Sequence, residues 1–205
     1  MELYDLGRST GPLKKIHSWI QEAKDAGVAL PHAMNLASVD SDGTPSSRMV
    51  LLKSLSNKGL VFFTDYESKK GQEINGNKRV AVNFWWARTD KQIRIEGLCY
   101  KVSKRESDEY FQLRPRGSQI SALTSKQSKV IKTYNSLVNK AKKIELEYEG
   151  EKLKRPSRWG GFLLQPNRIE FWTNQINRLH RREEYFLENN DNFQGKTWEK
   201  VILSP

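Results

Sequence analysis

The stretch AMNLASVDSDGTPSSRMVLLK (residues 33–53) decides the fold. Before it, Leu13, Ile16, Ile20 and Ala23 recur at helical spacing. Thr10 or Gly11 can cap that run, Pro12 sits just inside its start and Gly27 ends it, so a helix is expected over about residues 12–26. At Ala33 the period changes to two. AMNLASV and SSRMVLLK flank Asp42-Gly43, the pattern of two antiparallel strands joined by a tight turn.

The same grammar continues outward. LVFFT follows a turn at Asn57, Lys58 and Gly59, and RVAVNFWWA pairs with QIRIEGLCYKV across Thr89-Asp90. One short helix is expected between these strands, around residues 68–74. Ser103 and Glu106 form an S-x-x-E capping box that opens a helix ending at Pro115. A longer helix is expected over about residues 129–147, with Val130, Ile131, Tyr134, Leu137, Val138, Ala141 and Ile144 in one stripe. Residues 148–158 are charged, contain Pro156 and read as a loop. Strands return with WGGFLLQP, RIEFWT, a stretch near residues 184–187, and TWEKVIL. Short antiparallel strands with helices set apart from them define an α+β protein built on a closed barrel. One domain over residues 1–205 is expected, with a helical insertion at about residues 103–148.

Bulk composition narrows the function. The 205 residues carry 35 basic and 24 acidic side chains, a net charge of +11. Such an excess suits nucleic acid, or a protein holding several phosphates, each carrying roughly −1.5 to −2 at neutral pH. The lone Cys99 permits no internal disulfide, no apolar run reaches membrane-spanning length, and the N-terminus lacks the apolar core of a signal peptide. A cytoplasmic protein is the expectation. G-x-G-x-x-G, the P-loop pattern and G-x-S-x-G are all absent, and no carboxylate pair stands out as an acid–base couple. His17, His32 and His180 have no metal-ligand spacing, so no metal is expected.

Polar side chains concentrate in a few places. YFQLRPRGSQISALTSKQS (residues 110–128) gathers Tyr110, Arg114, Arg116, Ser118, Lys126, Gln127 and Ser128 around a Pro and a Gly. Cations, hydroxyls and turn residues together suit an oxyanion. RMVLLK (residues 48–53) places a cation at each end of an apolar run. Arg48 and Lys53 have opposite parity, so they serve one site only if the strand twists or bulges, or if two ligands sit there. In FFTDYESKKGQEI (residues 62–74), Ser68, Lys69 and Lys70 stand where a helix starts. Lys is unfavourable there unless an anion is bound. Gln92 opens a strand, where its amide can bond a heterocycle edge. FWTNQINRLHRREEY (residues 171–185) brings Trp172, Arg178, His180, Arg181 and Arg182 within eleven residues.

Taken together, RMVLLK, the T-x-x-x-S-x-K of Thr64 to Lys70, the 110–128 stretch, WGGF, RIEFW, RLHRR and the closing W-x-x-x-x-L-x-P from Trp198 resemble the pyridoxamine 5′-phosphate oxidase family, in the family's order. The resemblance implies an FMN-binding split β-barrel, antiparallel and Greek-key-like with flanking helices, working as a homodimer with FMN at the subunit interface. It implies FMN contacts from Arg48, Met49, Val50, Leu51, Lys53, Phe63, Thr64, Lys69, Lys70, Gln92, Gln127, Ser128, Trp172 and Arg182. It implies a substrate phosphate held by Lys53, Tyr110, Arg114 and Ser118, and Arg178 and His180 as catalytic residues over the substrate ring. The implied reaction oxidises pyridoxamine or pyridoxine 5′-phosphate to pyridoxal 5′-phosphate with dioxygen, releasing hydrogen peroxide. Phenazine-pathway oxidases share the flavin site with another substrate. The chain departs from the family's pattern at Phe63, where Tyr is frequent, at Lys69, where Arg is common, and in a short N-terminal arm.

Overall fold

The computed structural model describes residues 9–187 and 197–205, so most of the N-terminal arm lies outside the described residues. Helix α1 (Gly11–Asp25) forms as its spacing predicts, burying Leu13, Ile16, Ile20 and Ala23. Strands β1 (Ala33–Val39) and β2 (Pro45–Leu51) pair antiparallel, and Asp40 closes the turn by accepting from the N–H groups of Asp42 and Thr44. The alternation of β5 (Arg79–Trp86) and β6 (Lys91–Lys101) turns Val80, Val82, Phe84, Trp86, Ile93, Ile95 and Cys99 inward. Burial pushes the Cys99 thiol up to about 12, so it is an inert core group.

All strand pairs are antiparallel. Besides these four there are β3 (Ser54–Ser56), β4 (Gly59–Asp65), β7 (Trp159–Thr173), β8 (Arg181–Leu187) and β9 (Trp198–Leu203). Their order is β2-β1-β5-β6-β7-β4-β3, with β8 on β7 and β9 on β8. The chain passes between the edge strands β2 and β3 at Leu52 and Lys53. There the Leu52 N–H donates to the His32 carbonyl and the Lys53 N–H to the Val61 carbonyl, which draws the curled sheet together. This seam settles the parity question. The regular pleat ends at Leu51, two residues before Lys53.

The two strands expected in residues 159–173 are one. Gly97 and Pro166 face each other at a register shift between β6 and β7, where a proline without an N–H costs little pairing. The first half of β7 pairs with β4 and the second half with β8. Gly59, the first residue of β4, has φ +130, and a Cβ there would lie 2.0 Å from the Leu164 carbonyl oxygen. Gly59→Ala is expected to cost at least about 3 kcal/mol through strain and overlap, measured as a lowered urea midpoint.

Three helices lie between β6 and β7 in the chain. Helix α3 (Lys104–Leu113) is capped as expected, Ser103 Oγ accepting from the Glu106 N–H. Pro115 ends it but opens α4 (Arg116–Thr124), a helix the sequence reading missed. Ile120 and Ala122 of α4 pack with Tyr110, Phe111, Leu153 and Trp159 in a second, smaller core. Helix α5 (Tyr134–Glu147) starts later than expected, because Thr133 caps it through the Ser136 N–H. Val130 and Ile131 lie outside it and exposed, and α5 buries no residue fully.

Glu183 of β8 fastens α1 to the sheet. It is buried and meets Lys15 at 2.7 Å, Arg181 at 2.6 Å and Lys200 at 2.8 Å. Burial works to raise its carboxyl pKa, but the Lys15 and Lys200 contacts prevail and hold it at about 2. A depressed folded value means stability that is present above the ordinary carboxylate range and lost as pH falls toward 2. Thermal midpoints should therefore drop between about pH 4.5 and 2, and Glu183→Gln should flatten that limb.

Candidate functional site

A cavity of about 620 Å³ opens between the β2–β4 seam and helices α3 and α4. Met49, Val50, Leu51 and Lys53 line it from the seam, Phe63, Thr64 and Lys70 from β4 and the start of α2 (Lys69–Gly76), and Tyr110, Arg114, Ser118 and Gln127 from the helical side. Eleven of the residues implied by the resemblance therefore share one space. The wall behind them is aromatic. Phe63 stacks on Tyr110 at 3.9 Å and on Trp159 at 5.4 Å, and the Arg114 guanidinium lies 4.5 Å from the Trp159 ring centroid.

Two cationic groups are built into this cavity by different means. Lys70 Nζ donates to Gln127 Oε1 at 3.0 Å and to Thr64 Oγ1 at 3.2 Å, and Thr64 donates to the same Gln127 oxygen at 2.9 Å. Ser68 caps α2, accepting from the Gly71 N–H. On the other side, Arg114 Nη1 is buried and has no hydrogen-bond partner among the described residues. Burial first, then the neighbouring cation, lowers the pKa of Lys53 (beside Arg114) and of Lys70 (beside Arg48). Burial likewise lowers Arg114 and raises Tyr110. Buried cations pressed against one another with a donor to spare are a receptor for anions. The donor set fits phosphate.

Other implied residues sit elsewhere. Arg48 and Lys69 do not line the cavity. Arg48 Nη2 reaches Glu73 Oε2 at 2.9 Å, and Lys69 Nζ reaches Glu73 Oε1 at 2.6 Å. Ser128 follows Gln127 with a left-handed backbone, φ 67, outside the lining. Gln92, Trp172 and Arg182 form one cross-strand row over β6, β7 and β8, so their side chains share a face. Arg182 is braced there, its Nε 2.6 Å from the buried Glu170. Arg178 and His180 follow on the turn between β7 and β8. Asn177 and Arg178 both have positive φ, 56 and 60. The His180 ring lies 4.6 Å from that of Trp172, tilted by 42°, and its Nδ1 accepts from the Gln175 N–H at 3.3 Å, which puts a neutral ring's proton on Nε2.

Sequence reading missed several supports. Arg158 bonds Asp65 through Nε at 3.0 Å and holds the carbonyls of Ala122, Leu123 and Ser125, fixing the end of α4 beside the cavity. Its place one residue before WGGF was the available signal. Glu73 and Trp159 also escaped notice. Arg116 donates to the carbonyls of Tyr148 and Glu151.

The curled antiparallel sheet, with a phosphate-suited cavity against its seam, defines an FMN-binding split-barrel protein. A protein from Nostoc punctiforme, described as pyridoxamine 5′-phosphate oxidase-related and FMN-binding, shares this fold with a TM-score of 0.75 at 15% identity, covering 97% of this chain and all of that one. PhzG from Burkholderia lata, solved with tetrahydrophenazine-1-carboxylic acid, superposes with a TM-score of 0.88 at 30% identity, over 95% of this chain and 92% of its own. Residues 20–148 match the family model described as pyridoxamine 5′-phosphate oxidase, and residues 159–205 match the pyridoxine 5′-phosphate oxidase C-terminal dimerisation region. Pyridoxine/pyridoxamine 5′-phosphate oxidases of Leptospira biflexa and Rubrobacter xylanophilus are 44% and 41% identical, covering 95% and 97% of this chain and 89% of each relative. The chain belongs to the pyridoxamine 5′-phosphate oxidase family.

Proposed function

We propose that this protein is an oxidase that converts pyridoxamine 5′-phosphate and pyridoxine 5′-phosphate to pyridoxal 5′-phosphate. Its cofactor is FMN. Dioxygen is the terminal acceptor, hydrogen peroxide is released, and the amine also yields ammonia. The observation that carries this reading is the pair of cationic groups in one cavity, Lys70 with Thr64 and Gln127, and Arg114 beside Lys53. Two such groups suit two phosphorylated ligands, a cofactor and a substrate.

Bound FMN supplies the acceptor for the hydride that leaves the substrate's exocyclic carbon. Tyr110, Arg114, Ser118 and Lys53 grip the substrate phosphate, and that remote binding energy holds the reacting carbon in place. Near-attack positioning can supply roughly 7–11 kcal/mol of such a barrier. Met49, Val50, Leu51, Phe63, Thr64, Lys70, Gln127 and Ser128 hold FMN from one side of the site, with Arg48 and Lys69. Gln92, Trp172 and Arg182, which form a separate face, close the FMN site from a second copy of the chain. Arg178 and His180 of that copy guide the substrate and orient its ring. Support for this division comes from the match of residues 159–205 to a dimerisation region, and from the absence of all five residues from the cavity lining. A cytoplasmic working place belongs to the same reading.

The similarity to PhzG favours one second reading, a split-barrel oxidase acting on a phenazine precursor. Tyr110, Arg114, Ser118 and the Arg178-Leu179-His180 run weigh against it, because they serve a phosphorylated pyridine. Purified protein is expected to be yellow and to release peroxide with pyridoxine 5′-phosphate but not with a phenazine precursor. Colourless protein that binds nucleic acid with steep salt dependence would reverse the conclusion.

A further inference from the structure

Glu73 lies one turn into α2, four residues after Lys69, so the two side chains share a helix face. Its carboxylate is 3% exposed, against 20% for Arg48 and 57% for Lys69. The acid sits beneath, and the cations stand in front of it. Four side chains converge on it from three elements. Ser38 of β1 donates at 2.6 Å, Ser46 of β2 at 2.8 Å, Arg48 at 2.9 Å and Lys69 at 2.6 Å. Arg48 is locked from behind as well, by Ser38, Ser46 and the Leu36 carbonyl. Burial works to raise the Glu73 carboxyl pKa. Hydrogen bonds from Lys69, Ser38, Ser46 and Arg48 overcome it and hold the group at about 2, so the charge is present at neutral pH.

We propose that Glu73 is a positioning residue for the FMN phosphate: it holds Arg48 and Lys69, next to Lys70, as one aimed cation group. The inference rests on the FMN reading above. Three cations against one carboxylate leave two positive charges, which matches a phosphate monoester of roughly −1.5 to −2. Without the carboxylate, Arg48 and Lys69 lose the anchor that links strand β2 to helix α2.

Two roles for Glu73 differ in sign. A carboxylate that only cancels charge weakens phosphate binding by its own repulsion, so its removal strengthens the binding of FMN. A positioning carboxylate does the opposite. The test is Glu73→Gln, which keeps the side-chain shape, in flavin-stripped protein titrated with FMN and with riboflavin and followed by flavin fluorescence. FMN affinity is expected to fall by about tenfold, the scale of lost supporting contacts in other ligand sites. Riboflavin, which has no phosphate, is expected to stay within about twofold, inside the effect of one neutral hydrogen bond. FMN binding that is unchanged or tighter, or an equal loss for both flavins, overturns the proposal. Ser46→Ala, at a half-buried strand position, removes one partner from both Glu73 and Arg48. It is expected to give an FMN-only loss of about threefold, and no loss there counts equally against it. Unmodified protein that binds FMN no better than riboflavin would overturn the phosphate reading itself, a result distinct from either variant's failure.

Discussion

Arg114→Ala is expected to raise the Michaelis constant for pyridoxine 5′-phosphate by about 10- to 150-fold, with a smaller change in turnover. A charge-assisted hydrogen bond is worth about 1.5–3 kcal/mol, and that range sets the factor. The proposed contact falls in this range because part of the Arg114 guanidinium is already withdrawn from water. Its Nη1 is buried with no partner among the described residues, and its guanidinium lies against Trp159. A phosphate oxygen would complete it. Because that donor gains nothing from the folded protein alone, the variant is expected to lose only the guanidinium's contact with Trp159, about 0.5–2 kcal/mol, read as a small drop in thermal midpoint. Arg114→Lys should restore little, since a point charge cannot reproduce a planar fork. Steady-state peroxide release over a range of substrate concentrations measures the effect, and an unchanged constant would remove Arg114 from the phosphate clamp.

Arg178→Ala is expected to lower turnover by about 10²-fold, the cost of roughly 1 Å of misplacement at a reacting centre, while FMN stays bound. Arg178 is exposed on a turn whose two consecutive left-handed residues, Asn177 and Arg178, hold it away from the β7–β8 pairing. Backbone in that region costs of order 1–3 kcal/mol per residue and persists where its surroundings demand it. Two such residues beside His180 mark a turn built to present side chains. Turnover and the 450 nm region of the flavin spectrum, read on the same sample, check the assignment. Flavin-free protein from this variant would place Arg178 on the cofactor instead.

Much of the barrel was legible because its evidence is local. Period-two patterning in residues 79–102 places Val80, Val82, Phe84, Ile93 and Ile95 in the core, and the Ser103 capping box opens α3 where it should. Helix α4 was not legible. RGSQISALT carries a Gly, two Ser and only a faint stripe, and its helix depends on Ile120 and Ala122 packing with Trp159 and Leu153. The long β7 was hidden by Pro166, an ordinary strand breaker that the Gly97 register shift accommodates. The expected α5 is too long because Val130 and Ile131 fit its period, although among the described residues both are exposed.

The sequence by itself determined the α+β class, the family, and the residue types able to bind phosphate. Each of these resides in neighbours along the chain or in ordered motifs. Only the tertiary structure decided what each cation meets. Arg48 and Lys53, five positions apart in one motif, part at the seam: one turns to Glu73, 25 residues away, and the other enters the cavity beside Arg114. Gln92, Trp172 and Arg182 become one row only through strand register. A side chain's charge is written in the sequence. Its partner depends on which distant backbone the fold brings within about 3 Å, the reach of a hydrogen bond, and no local period encodes that.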